Sequence, residues 1–470
     1  MPPKKRPARA ATRRPKARPV ARKKRDWYRA GYDSGFETGT RLGHESFGSL
    51  FDGTSIIIPT YNQLAYLKSC IASIVDHTDL PYEIIIVDNG STDGTAAFLQ
   101  SLSGQIRYRI LDSNRGFAGA TNTGLMMAKG QTLLLLNNDT IVTDRWLDNL
   151  LTCLNSDPRI GMVGPVTNYI SGSQQIEVPY VNVEEMPEFA REFNRSDSAK
   201  WHLTDRLTGF CLLFRRELLE RTGYLDEGYA IGNFEDDDYN VRVRLQGRLL
   251  VIARDTFIHH YGSVSIKALG SELEAVNRNN STFFSEKWGN PHELIEQVNT
   301  LLRRDAQARA AAAPPGEPES ADPSSPPLPS ESAFFPQGVA VRGVREQIYW
   351  VENGQRRPVA GALSFPCARL SQVDLLRWPI GEPMDALEAE LRWRGQPAGD
   401  GIGPMNGSAL SPDGQLYMVE QGVKRRLATQ AAAEFWGLQY RVHLTPAVEE
   451  WALLPEGLPI IAPSRVSANL

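Results

Sequence analysis

Residues 54–140 read TSIIIPTYNQLAYLKSCIASIVDHTDLPYEIIIVDNGSTDGTAAFLQSLSGQIRYRILDSNRGFAGATNTGLMMAKGQTLLLLNNDT. Short apolar runs at residues 55–58, 83–87 and 132–136 have the length and composition of buried strands, and residues 107–111 read as a further strand. Between them the apolar period changes. Leu64, Leu67, Ile71 and Ile74 recur at helical spacing, and residues 92–102 and 118–128 read as further helices. Strand and helix alternating in this order predict an α/β fold with a mostly parallel sheet and helices on both faces. The alternation continues to residue 300. Ligands of such sheets bind at the carboxyl ends of the strands. The polar clusters fall at those ends: Thr60-Tyr61-Asn62, Asp88-Asn89-Gly90-Ser91 and Asn137-Asn138-Asp139.

Outward from this stretch the chain has 470 residues, 41% of them hydrophobic and 23% charged. That suggests about two to four domains and excludes a wholly disordered chain. No apolar run approaches the ~18–20 residues that span a bilayer, and the first residues carry charge and proline, so neither an integral membrane span nor a secretory leader is expected. Cys70, Cys153, Cys211 and Cys367 lack CxxC spacing, give no zinc site or disulfide framework, and fit a reducing, cytoplasmic compartment.

The charge is unevenly placed. Residues 1–25 hold 12 of the 51 Lys and Arg and no acid, which leaves 39 bases against 55 acids in the remainder. A basic arm is joined to an acidic body. The arm is expected to be disordered, either as a tether to an anionic polymer or to the inner face of a membrane, or as a solvated tail. Residues 26–53 carry Gly31, Gly35, Gly39 and Gly43 at intervals of four and read as a connecting segment. The body over residues 54–300 is followed by a Pro/Ala/Ser linker at 301–335. Residues 336–470 then contain a repeat at an offset of 68: Tyr349-Trp-Val-Glu-Asn-Gly354-Gln-Arg-Arg357 and Tyr417-Met-Val-Glu-Gln-Gly422-Val-Lys-Arg425. Each copy predicts a hairpin and then a helix, together a small β-rich tandem-repeat domain. Trp350, Trp378, Trp436 and Trp451 either stack on sugars or fill its core.

Four features carry chemistry. Asp88 ends a buried strand, where a carboxylate can accept hydrogen bonds from a base or ribose, or merely cap the next helix. Asp139 leaves another strand in a position to ligate a hard divalent cation, though Asn-Asn-Asp is also a good strand-ending turn. Glu235, Asp236, Asp237 and Asp238 open a probable helix. Capping explains one or two acids there, whereas four side by side repel one another and raise at least one pKa, as suits a general base. His259 and His260 follow a strand-like run, and a neutral imidazole is either a metal ligand or a structural group.

Six motifs then occur in order: Ser55-Ile-Ile-Ile-Pro-Thr-Tyr-Asn62, Ile85-Ile-Val-Asp-Asn-Gly-Ser-Thr-Asp93, Asn114-Arg-Gly-Phe-Ala-Gly-Ala-Thr-Asn122, Leu136-Asn-Asn-Asp-Thr140, Thr208-Gly-Phe-Cys-Leu-Leu-Phe-Arg215 and Phe234-Glu-Asp-Asp-Asp238. Residues 54–290 thereby resemble family 2 glycosyltransferases of the GT-A fold, in the rhamnosyltransferase-like bacterial subgroup. The resemblance implies a metal-dependent enzyme of the hexosyltransferase class, working in cell-envelope or surface polysaccharide synthesis. It would transfer a sugar, with inversion, from a UDP-, dTDP- or GDP-linked donor to a hydroxyl of a glycan, lipid-linked or protein acceptor. Carried over by motif, Pro59, Thr60 and Tyr61 border the nucleotide, Asp88 receives the base, and Arg115 lies near base or diphosphate. Asn138 and Asp139 fill the last two positions of a DxD-type motif whose first position is Asn137. Asp139 and His260 would hold Mg2+ or Mn2+, Gly209 and Glu235 would shape the donor and acceptor pockets, and Asp236 would be the base. The competing readings are a glycan- or polyanion-binding scaffold with a vestigial GT-A domain, and a nucleotidyltransferase. The latter would want a glycine-rich triphosphate loop where Pro59–Asn62 stands.

Overall fold

The computed structural model describes residues 48–102, 106–262, 273–312, 328–395, 407–441 and 443–468, with scattered helical positions between 31 and 41. The basic arm and most of the glycine-periodic segment lie outside the described residues; Gly31 and Gly35 are helical and exposed. Residues 1–50 and 51–470 separate as two units, and everything below concerns the second.

Strand β1 (Phe51–Thr60) leads into helix α1 (Leu64–His77). Then follow β2 (Tyr82–Asp88), α2 (Thr95–Ser101), β3 (Arg107–Ile110), α3 (Gly116–Met127) and β4 (Gly130–Leu136). These are the strands and helices expected from the apolar periods, shifted by a few residues at their ends. The next elements are β5 (Thr140–Ile141), α4 (Trp146–Asn155), β6 (Ile160–Val166), α5 (Met186–Phe193), β7 (Trp201–Thr204), β8 (Cys211–Arg215) and α6 (Arg216–Thr222). Helix α7 (Glu235–Leu245), β9 (Leu249–Phe257) and β10 (His259–His260) complete the site-bearing part.

Eight strands form one sheet in the order β3-β2-β1-β4-β8-β6-β9-β7, and β5 pairs with β10 apart from it. The ladders β3/β2, β2/β1, β1/β4 and β6/β9 are parallel, whereas β8 is antiparallel to both β4 and β6. The sheet is covered on both faces, as parallel sheets must be. Ile56, Ile58, Ile84, Ile86, Leu134 and Leu136 face α1 and α4, while Ile57, Ile85, Leu133 and Leu135 face α3, α6 and α7. All are at most 3% exposed, and each such aliphatic side chain contributes about 1.5–3 kcal/mol on burial.

Helices α8 (Leu273–Trp288) and α9 (Pro291–Ala312) follow, so the linker expected over 301–335 starts later than its composition suggests. Leu301 is buried, and the amphipathic pattern carries the helix to Ala312 before the proline run. The linker also ends earlier, because Glu331, Phe334 and Phe335 are buried.

The repeats form the hairpins expected of them. Strands β11 (Ile348–Glu352) and β12 (Gln355–Ala360) turn through Asn353 and Gly354, and β13 (Leu416–Glu420) and β14 (Val423–Arg426) through Gln421 and Gly422. All four turn residues have positive φ (50°, 70°, 52° and 76°), the twist that a two-residue hairpin loop requires. Each copy repeats one Glu–Arg pair at 2.6 Å, Glu352–Arg357 and Glu420–Arg425. The tryptophans are core. Trp350, Trp378, Trp436 and Trp451 are at most 9% exposed, which removes the sugar-stacking alternative. Trp350, Trp378 and Trp436 belong to one cluster with Val241 and Leu245 of α7, Trp288 of α8 and Ile295 of α9. The repeats therefore share a core with the helix that opens on the four acids. Arg242 of that helix is fully buried against Glu331 at 2.7 Å.

Candidate active site

The large sheet changes direction of growth between β1 and β4: β2 and β3 add on one side, β8 and β6 on the other. A crevice at the carboxyl ends follows from that switch. A cavity of about 1310 Å³ opens there. Pro59, Thr60, Tyr61, Asn138, Asp139, Gly209, Glu235, Asp236 and His260 all line it. Asp139 and Asp236, 97 positions apart in the chain, thus share one cleft.

At the β1–β4 junction the Asn138 amide donates to Thr60 Oγ1 (2.8 Å), which turns the strand-end triplet toward the cavity. Strand β5 continues from Asp139 and pairs antiparallel with β10, placing Thr140 opposite His260. His260 Nε2 lies 3.2 Å from Asp139 Oδ1, and Phe210 stacks on the imidazole at 5.5 Å. The other ring nitrogen, Nδ1, lies 2.8 Å from the carbonyl oxygen of Tyr169. A carbonyl only accepts, so Nδ1 carries a hydrogen and a neutral ring presents the Nε2 lone pair to a carboxylate. Two acceptors face each other, an arrangement stabilised by a proton or a metal cation between them. Among the described residues no group of three or more His, Cys, Asp or Glu is placed to hold a metal. A cation on this pair would take its remaining ligands from water or substrate oxygens, as Mg2+ commonly does.

Elsewhere on the lining, Phe234 adopts φ 74° and α7 starts at Glu235. Asp236 Oδ2 accepts from the Gly209 amide (2.8 Å) and Oδ1 from the Asp237 amide (2.9 Å). A Cβ at position 209 would stand 3.3 Å from that of Asp236, so glycine permits the approach. Burial, reinforced by the Asp237 charge, pushes the Asp236 carboxyl up to about 6. Burial and then the Asp236 charge hold Glu235 well above the usual carboxylate range, and its Oε2 has no hydrogen-bond partner. Asp237 is tied to Arg206 at 2.5 Å. Of the two, Glu235 is held above the ordinary carboxylate range chiefly by its burial, and Asp236 ionises near neutral pH.

Two sequence-derived positions stand behind the wall. Asp88 is fully buried, with Oδ1 accepting from the Ser91 amide (3.0 Å) and Oδ2 without a hydrogen-bond partner. It does not line the cavity; its neighbour Asn89 does. Arg115 is exposed at the start of α3, off the lining, while Asn114 and Phe117 beside it are on it. Asn89 ties these loops together, donating to Asn114 Oδ1 (2.9 Å) and accepting from the Arg115 amide (2.8 Å). His259 bonds to the Tyr180 hydroxyl (2.7 Å), and burial pushes it down to about 4, so it is neutral and structural.

Sequence reasoning missed Arg206, the 231–234 loop, and one face of α8. Asn277 with Ser281 and Arg278 with Thr282 line the cavity from that helix. Their i,i+4 spacing marks a polar helix face but says nothing of what it faces.

Residues 55–223 match the family described as "Glycosyl transferase family 2". The chain is 29% identical over 225 residues to a chondroitin synthase of Pasteurella multocida, covering 42% of this chain and 23% of that protein. It is 25% identical over 227 residues to a chondroitin synthase of Escherichia coli, covering 42% and 33%. The matched part thus spans about a quarter to a third of those relatives' length. Among solved structures, the mannosyltransferase PcManGT of Pyrobaculum calidifontis in complex with GDP-Man and Mn2+ overlaps at a TM-score of 0.35 and 19% identity, covering 56% and 77% of the two chains. The family match falls on the part of the chain that builds most of the mixed α/β sheet and one side of its strand-end cleft, so residues 55–223 resemble family 2 glycosyltransferases where the candidate site begins.

Proposed function

We propose that the chain is an inverting, divalent-cation-dependent glycosyltransferase that moves a sugar from a nucleotide-sugar to an acceptor hydroxyl in cell-envelope or surface polysaccharide synthesis. The rhamnosyltransferase-like reading of its motifs belongs to this proposal, as does a cytoplasmic site of action. No helix among the described residues is long and apolar enough to cross a membrane. The basic arm would then bring the protein to an anionic polymer or membrane surface by charge alone.

One observation carries the reading. An acceptor pair suited to a cation, Asp139 with His260, and an ionisable carboxylate hydrogen-bonded to backbone amides, Asp236, line one cavity. Asp139 and His260 would hold Mg2+ or Mn2+, and the bound cation would neutralise charge on the departing diphosphate. Thr60 and Asn138 orient the strand-end loops against the nucleotide, with Pro59 and Tyr61 beside them. Asp88 Oδ2, buried and unpartnered, is suited to a donor group of the base if the Asn89 loop shifts. Arg115 would meet the donor from the rim. Asp236, on the lining of the same cavity, removes the proton of the incoming hydroxyl as it attacks the anomeric carbon. The Gly209 amide and the helix start fix the direction of that carboxylate, and burial raises the neighbouring Glu235 carboxyl. The attacking oxygen bonds to the anomeric carbon as the sugar–phosphate bond breaks, and the electron pair leaves on the nucleoside diphosphate.

Calorimetric titration of nucleoside diphosphates with and without Mn2+ tests the reading. Asp139→Ala should weaken the metal-dependent affinity by about tenfold or more, roughly 1.4 kcal/mol. Unchanged metal-dependent affinity would contradict the assignment.

A further inference from the structure

The segment between Asp226 and Glu235 is held in a conformation that its own residues do not favour. Ile231, Asn233 and Phe234, none of them glycine, have φ of 61°, 76° and 74°. Such strain persists only when the surroundings over-determine it. The downstream half is fixed by Asn280 of α8. Its amide nitrogen donates to the carbonyls of Ala230, Gly232 and Asn233 (2.9–3.0 Å), and its Oδ1 accepts from the Ala230 amide (3.0 Å).

The upstream half is fixed from far along the chain. The Glu227 amide donates to the Arg465 carbonyl (2.8 Å), and the Arg465 amide donates to Asp226 Oδ1 (3.1 Å). The Ser467 amide donates to Glu227 Oε2 (3.0 Å). The remaining carboxylate oxygens are anchored elsewhere: Glu227 Oε1 accepts from Asn122 of α3 (2.9 Å), and Asp226 Oδ2 from the buried Lys287 (2.6 Å). The Arg465 guanidinium lies 4.5 Å over the Phe283 ring. Residues 465–467 therefore grip the Asp226-Glu227 dipeptide through their backbone. The chain beyond that dipeptide lines the cavity with Ile231–Phe234 and runs directly into Glu235 and Asp236.

We propose that residues 465–467 are a positioning clamp: by holding Asp226-Glu227 they keep the strained loop in register and present Asp236 to the acceptor. This rests on the transfer reading above. It also gives the repeats a task in that reaction, since they carry the clamp to the site.

Ser467→Pro deletes the amide donor at an outer position of the chain, and Ser467→Thr keeps both the amide and a hydroxyl. The readouts are kcat, donor KM, Tm, and hydrogen exchange of amides 229–236 in the full chain. Displacing a reacting group by about an ångström costs up to ~100-fold, so Ser467→Pro should lower kcat by about tenfold or more, with donor KM and Tm near wild type. Exchange over 229–236 should quicken, and Ser467→Thr should match wild type in all four. A kcat within about twofold of wild type despite faster loop exchange overturns the clamp, as does a kcat loss tracked by an equal loss in donor affinity or Tm. Unaltered loop exchange in Ser467→Pro also overturns it. If the wild-type protein neither binds nor turns over nucleotide-sugars, the transfer reading fails instead, and the exchange rates still decide whether the clamp exists.

Discussion

Asp236 and Asp238 stand two residues apart in the first turn of one helix, both at most 9% exposed, and their surroundings are opposite. Two residues are about 200° of rotation, so they project to nearly opposite sides. Asp238 points inward, where Lys287 Nζ lies at 2.7 Å, Arg242 at 3.8 Å, and the Trp288 indole (2.8 Å) and Tyr229 hydroxyl (3.2 Å) donate to it. Asp236 lines the cavity and accepts hydrogen bonds from two backbone amides; the Asp237 charge beside it is only partly offset by Arg206, which is bonded to Asp237. A buried carboxylate paired with ammonium and guanidinium groups is a fixed charge that holds elements together. A buried carboxylate whose desolvation outweighs a distant cation exchanges its proton near neutral pH, which is what proton transfer requires. The helix thus separates anchorage from chemistry by its period alone.

The largest expected effect tests the cavity side. Asp236→Asn should lower transfer by about 10²–10⁴-fold while nucleotide-sugar affinity stays near wild type. Near-normal turnover in steady-state assays would erase the contrast. The inward side should respond in stability. Asp238→Asn removes one of the two carboxylates on buried Lys287, whose other partner Asp226 remains at 2.6 Å, and should cost about 1.5–3 kcal/mol in denaturant unfolding. If stability were unchanged and kcat fell instead, the two roles would be reversed. A pH profile sharpens the comparison further. With its carboxyl raised to about 6, Asp236 is protonated, and inactive as a base, below that pH. The wild-type rate should therefore fall about tenfold per unit below pH 6 and level off above it. The residual rate of Asp236→Asn should lack that limb; its persistence would assign the limb to another group.

The sheet was legible because parallel strands covered on both faces are continuous aliphatic runs, and the strand-end polar clusters stand out against Ile56–Ile58 and Leu133–Leu136. The hairpins were legible because Asn353-Gly354 and Gln421-Gly422 match the backbone their turns need. Other features had no local signal. His260 reaches Asp139 only because β10 pairs with β5 in one register, and nothing near residue 260 states its partner. Asp88 and Arg115 sit at the right strand and helix ends, but which neighbouring side chain faces the cavity depends on backbone direction, and there it is Asn89 and Asn114. Composition misjudged residues 301–312 and 331–335 because alanine, serine and charged residues suit both a linker and a packed amphipathic segment.

The amino-acid sequence by itself determined the α/β layering, the repeat with its turns, and the residue types that can bind a cation or move a proton. Each of these depends on local spacing and on the chemistry of single side chains. Tertiary structure alone decided which of four consecutive acids line the cavity and which turns inward, which histidine meets Asp139, and that residues 465–467 return to the loop before Asp236. Those outcomes depend on strand register and long-range packing, where the energy is shared among residues far apart in the chain.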